Sequence, residues 1–274
     1  MKQQKNLLLI VPFILLIVIV LSACNSEQTK GQEKMIENEE IQQKEQKSNK
    51  GMGWTHDNPM TPTAGEWGAL EFKEGKTYKV DAPPADDSET TKKEIEELVK
   101  ITNERTDEEV ELVKHWAITP SPNTHWFAIT EELIQKYKLS IPEAARVHAI
   151  VSGGIYTTTT AAWGQKYEYL RKRPTDLETS ITLVDGVQVP PHPAYPNSHA
   201  STAWTAATIL SYIFPNEKGM LEQTAEDATY SRMLAGVHFR GDHEASIQLA
   251  KDITADIIDS LKDDHAPLQY EEIQ

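Results

Sequence analysis

A chain of 274 residues with a single cysteine, Cys24, cannot close a disulfide within its own fold. Its stability has to come from a hydrophobic core, and the length suffices for one. Positive charge is scarce as well: 27 lysines and arginines face 42 aspartates and glutamates, a formal net charge of −15. That balance argues against nucleic acid as a partner, because a phosphate backbone rewards basic patches. A small phosphorylated ligand stays open, since it needs only local positive charge. Long apolar runs are lacking too. The stretch from Leu7 to Leu21 is shorter than the ~20 residues expected of a spanning helix, and Pro12 interrupts it. No repeat period is evident.

What the N-terminus does have is Lys2 and Lys5, then that short apolar run, then Leu21-Ser22-Ala23-Cys24. A basic start, an apolar core and small residues at the end describe an export signal. Leu-Ser-Ala-Cys resembles a bacterial lipobox, which implies removal of residues 1–23 and a lipid on Cys24. The expectation is an exported protein, tethered through Cys24 to the outer face of the cytoplasmic membrane. The alternative is an uncleaved anchor. Residues 24–52, rich in Gln, Glu and Lys, cannot bury enough surface to offset ordering and read as a flexible tether. Residues 53–86 lack sustained periodicity, with short strands conceivable at Leu70-Glu71-Phe72 and Tyr78-Lys79-Val80.

Helical signals dominate residues 87–265. Thr91–Glu94 and Thr106–Glu109 have capping-box spacing and precede apolar residues at helical intervals. Thr130 to Lys138 reads as a helix. Pro142 to about Arg171 reads as the longest, although Gly153-Gly154 and Thr157 to Thr160 weaken its middle. Thr175 to Asn197, with Pro190, Pro191, Pro193 and Pro196, is a long proline-rich loop, a common place for function. Helices follow at His199–Tyr212, Glu222–Leu234 and Asp242–Leu261. The expected fold is all-α, a bundle of about six helices.

Three stretches carry chemistry. Ser231 to Asp242 places Arg232, His238 and Asp242 at intervals of six and four residues. A carboxylate near an imidazole can fix its tautomer and stabilise its protonated form, while an arginine offers a planar fork to a tetrahedral oxyanion. Lys166 to Pro174 reads Lys-x6-Arg-Pro, and Pro196-Asn197-Ser198-His199 sets a second histidine at a helix start. Lys166, Arg173 and Arg232 would form a positive cradle, with backbone N–H groups near Ser198 aimed at the same oxygens. Plainer roles exist for each: Lys166, Arg171 and Lys172 suit a helix C-terminus, His199 could cap its helix, and Arg173 could pair with surface acids. A metal site from His238, Asp242 and His243 is a further option, but it ignores the lysine and arginines.

In this order, the three motifs resemble the superfamily of type 2 phosphatidic acid phosphatases, class A acid phosphatases and vanadium haloperoxidases, over about residues 140–262. The resemblance implies that His238 attacks phosphorus, Asp242 orients its ring and His199 protonates the leaving oxygen. Asn197 and Ser198 stand where Ser-Gly is usual, which keeps an N–H and a donor but alters the pocket's shape. A phosphatase of this kind needs no cofactor, and its substrate would be a small phosphorylated molecule or a lipid phosphate. In the haloperoxidase branch the pocket holds vanadate, with His238 as the vanadium ligand; His192 lies where bromide-oxidising relatives carry a histidine. His192, His243 and Arg240 are otherwise placed outside the catalytic set. A surface lipoprotein that binds an anion without turnover is the third reading.

Overall fold

The computed structural model describes residues 54, 57, 59, 77–117, 122–262 and 266–271. These belong to one unit, residues 51–274. The expected signal, the tether, Cys24 and the stretch Leu70–Phe72 lie outside the described residues. Among those described, every regular element is helical.

Seven α-helices of eleven residues or more and one four-residue turn follow in order. They are α1 (Glu89–Asn103), α2 (Asp107–Ala117), α3 (Asn123–Lys136), α4 (Ile141–Tyr169), the turn α5 (Pro174–Leu177), α6 (Ser198–Ile213), α7 (Lys218–Leu234) and α8 (Arg240–Leu261). A 3-10 turn, Pro215–Glu217, leads into α7 and moves its start ahead of the expected Glu222. Helix α6 is the hub, packed on α4, α7 and α8. Its alanines at 200, 203, 206 and 207 are all fully buried, as befits a helix surrounded on every side. Small residues let neighbours approach. A Cβ on Gly154 of α4 would stand 2.5 Å from Ile209 Cδ1, so the glycine that weakens the helix locally is what lets α4 and α6 pack.

Helix α4 runs 29 residues without a break despite its threonines. Thr158 and Thr205 bond each other across the α4–α6 interface at 2.8 Å, and Thr160 bonds back to the Tyr156 carbonyl. The cap expected at Thr106 is present: Glu109 accepts from Thr106 N, and Thr106 Oγ1 accepts from Glu109 N. The cap expected at Thr91 is not. Ser88 caps α1 instead, and Glu94 reaches elsewhere. Nor is Tyr78–Val80 a strand. Tyr78 and Val80 are buried in alternation around exposed Lys79, but the partners are helix side chains: Val80 N donates to Gln165 Oε1 (2.7 Å) and Val80 O accepts from Tyr169 Oη (2.8 Å).

Candidate active site

The site forms where α4 ends, α6 begins and α7 turns into α8. Lys166 lies in the last turn of α4. Leu170 then adopts a left-handed backbone (φ 50°) and throws the chain into an extended segment. Side chains alternate along such a segment, so Arg171 and Arg173 both turn inward and are buried, while Lys172 stays half-exposed near Asp86. Asn197 caps α6, its Oδ1 accepting from the backbone N–H of His199 (3.0 Å) and Ala200 (3.4 Å). Its Nδ2 is buried with no hydrogen-bond partner. Helix α7 delivers Arg232 on its last turn and closes on Gly236 (φ 74°), a left-handed stop suited to glycine. Two residues on comes His238, and Asp242 sits in the first turn of α8, where it caps Phe239 N at 3.0 Å.

Arg173 settles the state of His238. Its Nη1 lies 2.9 Å from His238 Nε2, while His238 Nδ1 lies 3.0 Å from Asp242 Oδ2. A guanidinium only donates, so Nε2 is the accepting nitrogen and Nδ1 carries the proton toward Asp242. The ring therefore presents a lone pair at Nε2. Burial first, then Arg173, Lys166, His243 and His199, hold the His238 pKa well below the ordinary histidine value, so the imidazole is neutral near neutral pH.

The cations themselves are drawn into the loop before α6. Lys166 Nζ donates to the carbonyls of Pro193 (2.9 Å), Ala194 (3.0 Å) and Pro196 (2.5 Å). Arg173 donates to Val237 O and, through Nε and Nη2, to His192 O. Burial pulls Lys166 well below its usual pKa, with Arg173 adding to the effect, and pulls Arg173 and Arg232 down to about 10. Arg232 bonds Ser231 Oγ and the Val113 carbonyl. His199, partly exposed at the head of α6, is also held well below the ordinary value, by burial and then Arg232, Lys166 and Arg173. Ser198 is buried beside it.

The residues singled out by motif thus meet in one place, and others join them. His192, set outside the catalytic group on sequence grounds, accepts from Arg173 Nη2 at Nδ1 (3.1 Å) and packs its ring on Trp163 at 4.8 Å. His243 is buried with its ring 6.3 Å from that of His238. Arg240 is apart, paired with Glu97 on the surface. Among the described residues no group of three or more His, Cys, Asp or Glu side chains is arranged to hold a metal ion. Two residues that the sequence reading gave only helix-end roles also join the site: Arg171, which donates to Asp242 Oδ1 (2.7 Å), and Glu94, which pairs with Arg171 (2.6 Å).

No protein-family model matches the sequence, and no curated protein does. Solved structures do. A bacterial vanadium-dependent iodoperoxidase superposes with a TM-score of 0.62 at 20% identity, covering 79% of this chain and 60% of that one. A bacterial vanadium-dependent chloroperoxidase superposes in its holo form with a TM-score of 0.59 at 14% identity, covering 78% and 57%. LpxE of Aquifex aeolicus matches more loosely, at 24% identity and a TM-score of 0.48, over 61% of this chain and 94% of that one. The chain therefore shares its fold with bacterial vanadium-dependent haloperoxidases. The chain spans about three fifths of the length of the haloperoxidases it matches.

Proposed function

We propose that the protein hydrolyses phosphomonoesters through a phosphohistidine on His238. One observation carries this reading: the Arg173–His238–Asp242 chain presents a neutral imidazole lone pair beside the Arg173 and Lys166 cations. Phosphoryl transfer asks mainly for alignment and for charge on the equatorial oxygens to be met. An incoming phosphoryl group takes the donors of Arg173, Lys166 and Arg232, and Arg173 leaves Nε2. That nitrogen attacks phosphorus, the bond to the leaving oxygen breaks, and His199 gives that oxygen a proton. The Nδ1 proton stays shared with Asp242, whose charge stabilises the imidazolium. Water then attacks the phosphohistidine, returning its proton to His199 and freeing inorganic phosphate.

A second reading, vanadate-dependent haloperoxidase, is favoured by the fold shared with the iodoperoxidase and chloroperoxidase. The residues fit an oxyanion of that shape: His238 Nε2 is an available ligand, the cradle is cationic, and Asn197 Nδ2 is a buried donor without a partner. Vanadate, when bound, activates hydrogen peroxide toward halide. The chain's own part is to hold it through His238, balance its charge with Lys166, Arg173 and Arg232, and move protons at His199.

The two readings separate in one experiment: p-nitrophenyl phosphate hydrolysis and bromide–peroxide oxidation, each with and without vanadate. Hydrolysis that survives chelator and is inhibited competitively by vanadate is expected. Halide oxidation that appears only with vanadate, with no hydrolysis, would overturn it. The motif at Leu21–Cys24 supports a lipid-anchored enzyme outside the cytoplasmic membrane, acting on a small phosphorylated molecule or a lipid phosphate. The absence of diacylglyceryl mass on Cys24 in the mature protein would remove the anchor.

A further inference from the structure

Asp242 orients His238, but something must orient Asp242. Its carboxylate is fully buried, with Oδ2 between His238 Nδ1 and Phe239 N. Oδ1 accepts from Arg171 Nη1 at 2.7 Å. The guanidinium continues outward: Nη2 donates to Glu94 Oε2 at 2.6 Å, and its plane lies 4.1 Å over the Phe239 ring. Glu94 Oε1 closes the circuit by accepting from Gly241 N at 2.6 Å. A Cβ on Gly241 would stand 2.8 Å from that same oxygen, so a larger residue there would push the Glu94 carboxylate aside. The arginine and its two carboxylates are nearly dry, with side chains 1%, 10% and 0% exposed for Arg171, Glu94 and Asp242.

We propose that Glu94 and Arg171 are positioning residues for the His238–Asp242 pair: Glu94, from α1, clamps the Arg171 fork, and Arg171 fixes the plane of the Asp242 carboxylate so that Oδ2 meets His238 Nδ1. The clamp has to be a carboxylate, because it accepts from a guanidinium and a backbone N–H at once, on two different oxygens. It comes from outside the motif-bearing helices and so ties α1 to the backbone of α8 at Gly241. Helix α1 is thereby part of the catalytic architecture, although neither residue touches the reacting atoms.

The inference rests on the reading of the site as an oxyanion pocket around His238, and the test keeps the two apart. Full-length protein and the variants Glu94→Gln, Gly241→Ala and Arg171→Lys are titrated calorimetrically with inorganic phosphate and with orthovanadate. Phosphate samples the cationic cradle, whereas vanadate also takes a nitrogen ligand and so reports how well His238 Nε2 is aimed. Misaiming a reacting group by about 1 Å costs on the order of 10²-fold, so vanadate affinity should fall about tenfold or more in each variant. Phosphate affinity should hold within a factor of about three, and kcat for p-nitrophenyl phosphate should fall with KM nearly unchanged. Glu94→Gln preserves side-chain volume, and Gly241→Ala attacks the same contact from its other side without removing a charge. Parallel loss of both anions, or wild-type vanadate affinity in Glu94→Gln and Gly241→Ala, overturns the clamp. A wild type that binds neither anion overturns the reading of the pocket itself.

Discussion

In the proposed mechanism His238 and His199 must work in opposite states, although Arg173 and Lys166 act on both. The nucleophile has to be neutral, and burial among Arg173 and Lys166 keeps it so. The acid has to be protonated, while the same surroundings press its pKa down. A phosphoryl dianion between them resolves the conflict, because its charge offsets Arg232, Lys166 and Arg173 and lifts His199 when substrate is bound. His199→Ala should therefore cripple alkyl phosphates while sparing p-nitrophenyl phosphate, whose leaving group needs little protonation. General acid catalysis is worth about 10²–10⁴-fold, so comparing kcat for the two substrates resolves it. His238→Ala should abolish turnover of both. Equal damage to both substrates in His199→Ala would end its role as acid.

Between elements, the site depends on how closely α4 and α6 approach, since one carries Lys166 and the other starts at Ser198. Thr158 and Thr205 hold that interface with a buried hydroxyl pair. Either threonine changed to valine leaves one hydroxyl without its partner, costing about 1–3 kcal/mol, whereas the double change removes both and should cost less than the sum. Urea midpoints of the three variants check this, and simple additivity would refute it. Much at this scale was legible in the sequence. The motif residues meet in one place because each motif sits within a short run whose geometry is local: a helix end leading to Arg-Pro, a helix start at Ser198, a glycine turn before a histidine. Arg171 and Glu94 were not legible, because their contact spans 77 residues and no spacing rule signals it. Glu94 was also masked by its distance from Thr91, which imitates a cap that Ser88 already supplies. The strand at Tyr78–Val80 failed for a related reason: its inward-outward alternation is real, but helix side chains satisfy the backbone.

For the molecule as a whole, the same burial that tunes the site makes stability depend on pH. His192, His199, His238 and His243 all have folded pKa values below the ordinary one, His243 down to about 3 through burial and then Arg240 and Arg232. Above about pH 6.5 neither the folded nor the unfolded chain protonates these rings, and their contribution is constant. Below it the unfolded chain takes up protons that the folded chain refuses, so stability falls with falling pH until the folded value is reached. For His243 the window runs from about 6.5 down to about 3. Each such histidine adds up to about 1.4 kcal/mol of loss per pH unit inside its window. Between pH 7 and 5 most carboxylates are still ionised, so urea unfolding there isolates the histidines. His243→Gln should have a shallower decline than the wild type, by about one proton's worth of slope near pH 5. An unchanged slope would mean that the ring is protonated in the folded protein, with its buried Nε2 finding a partner that the structure does not show.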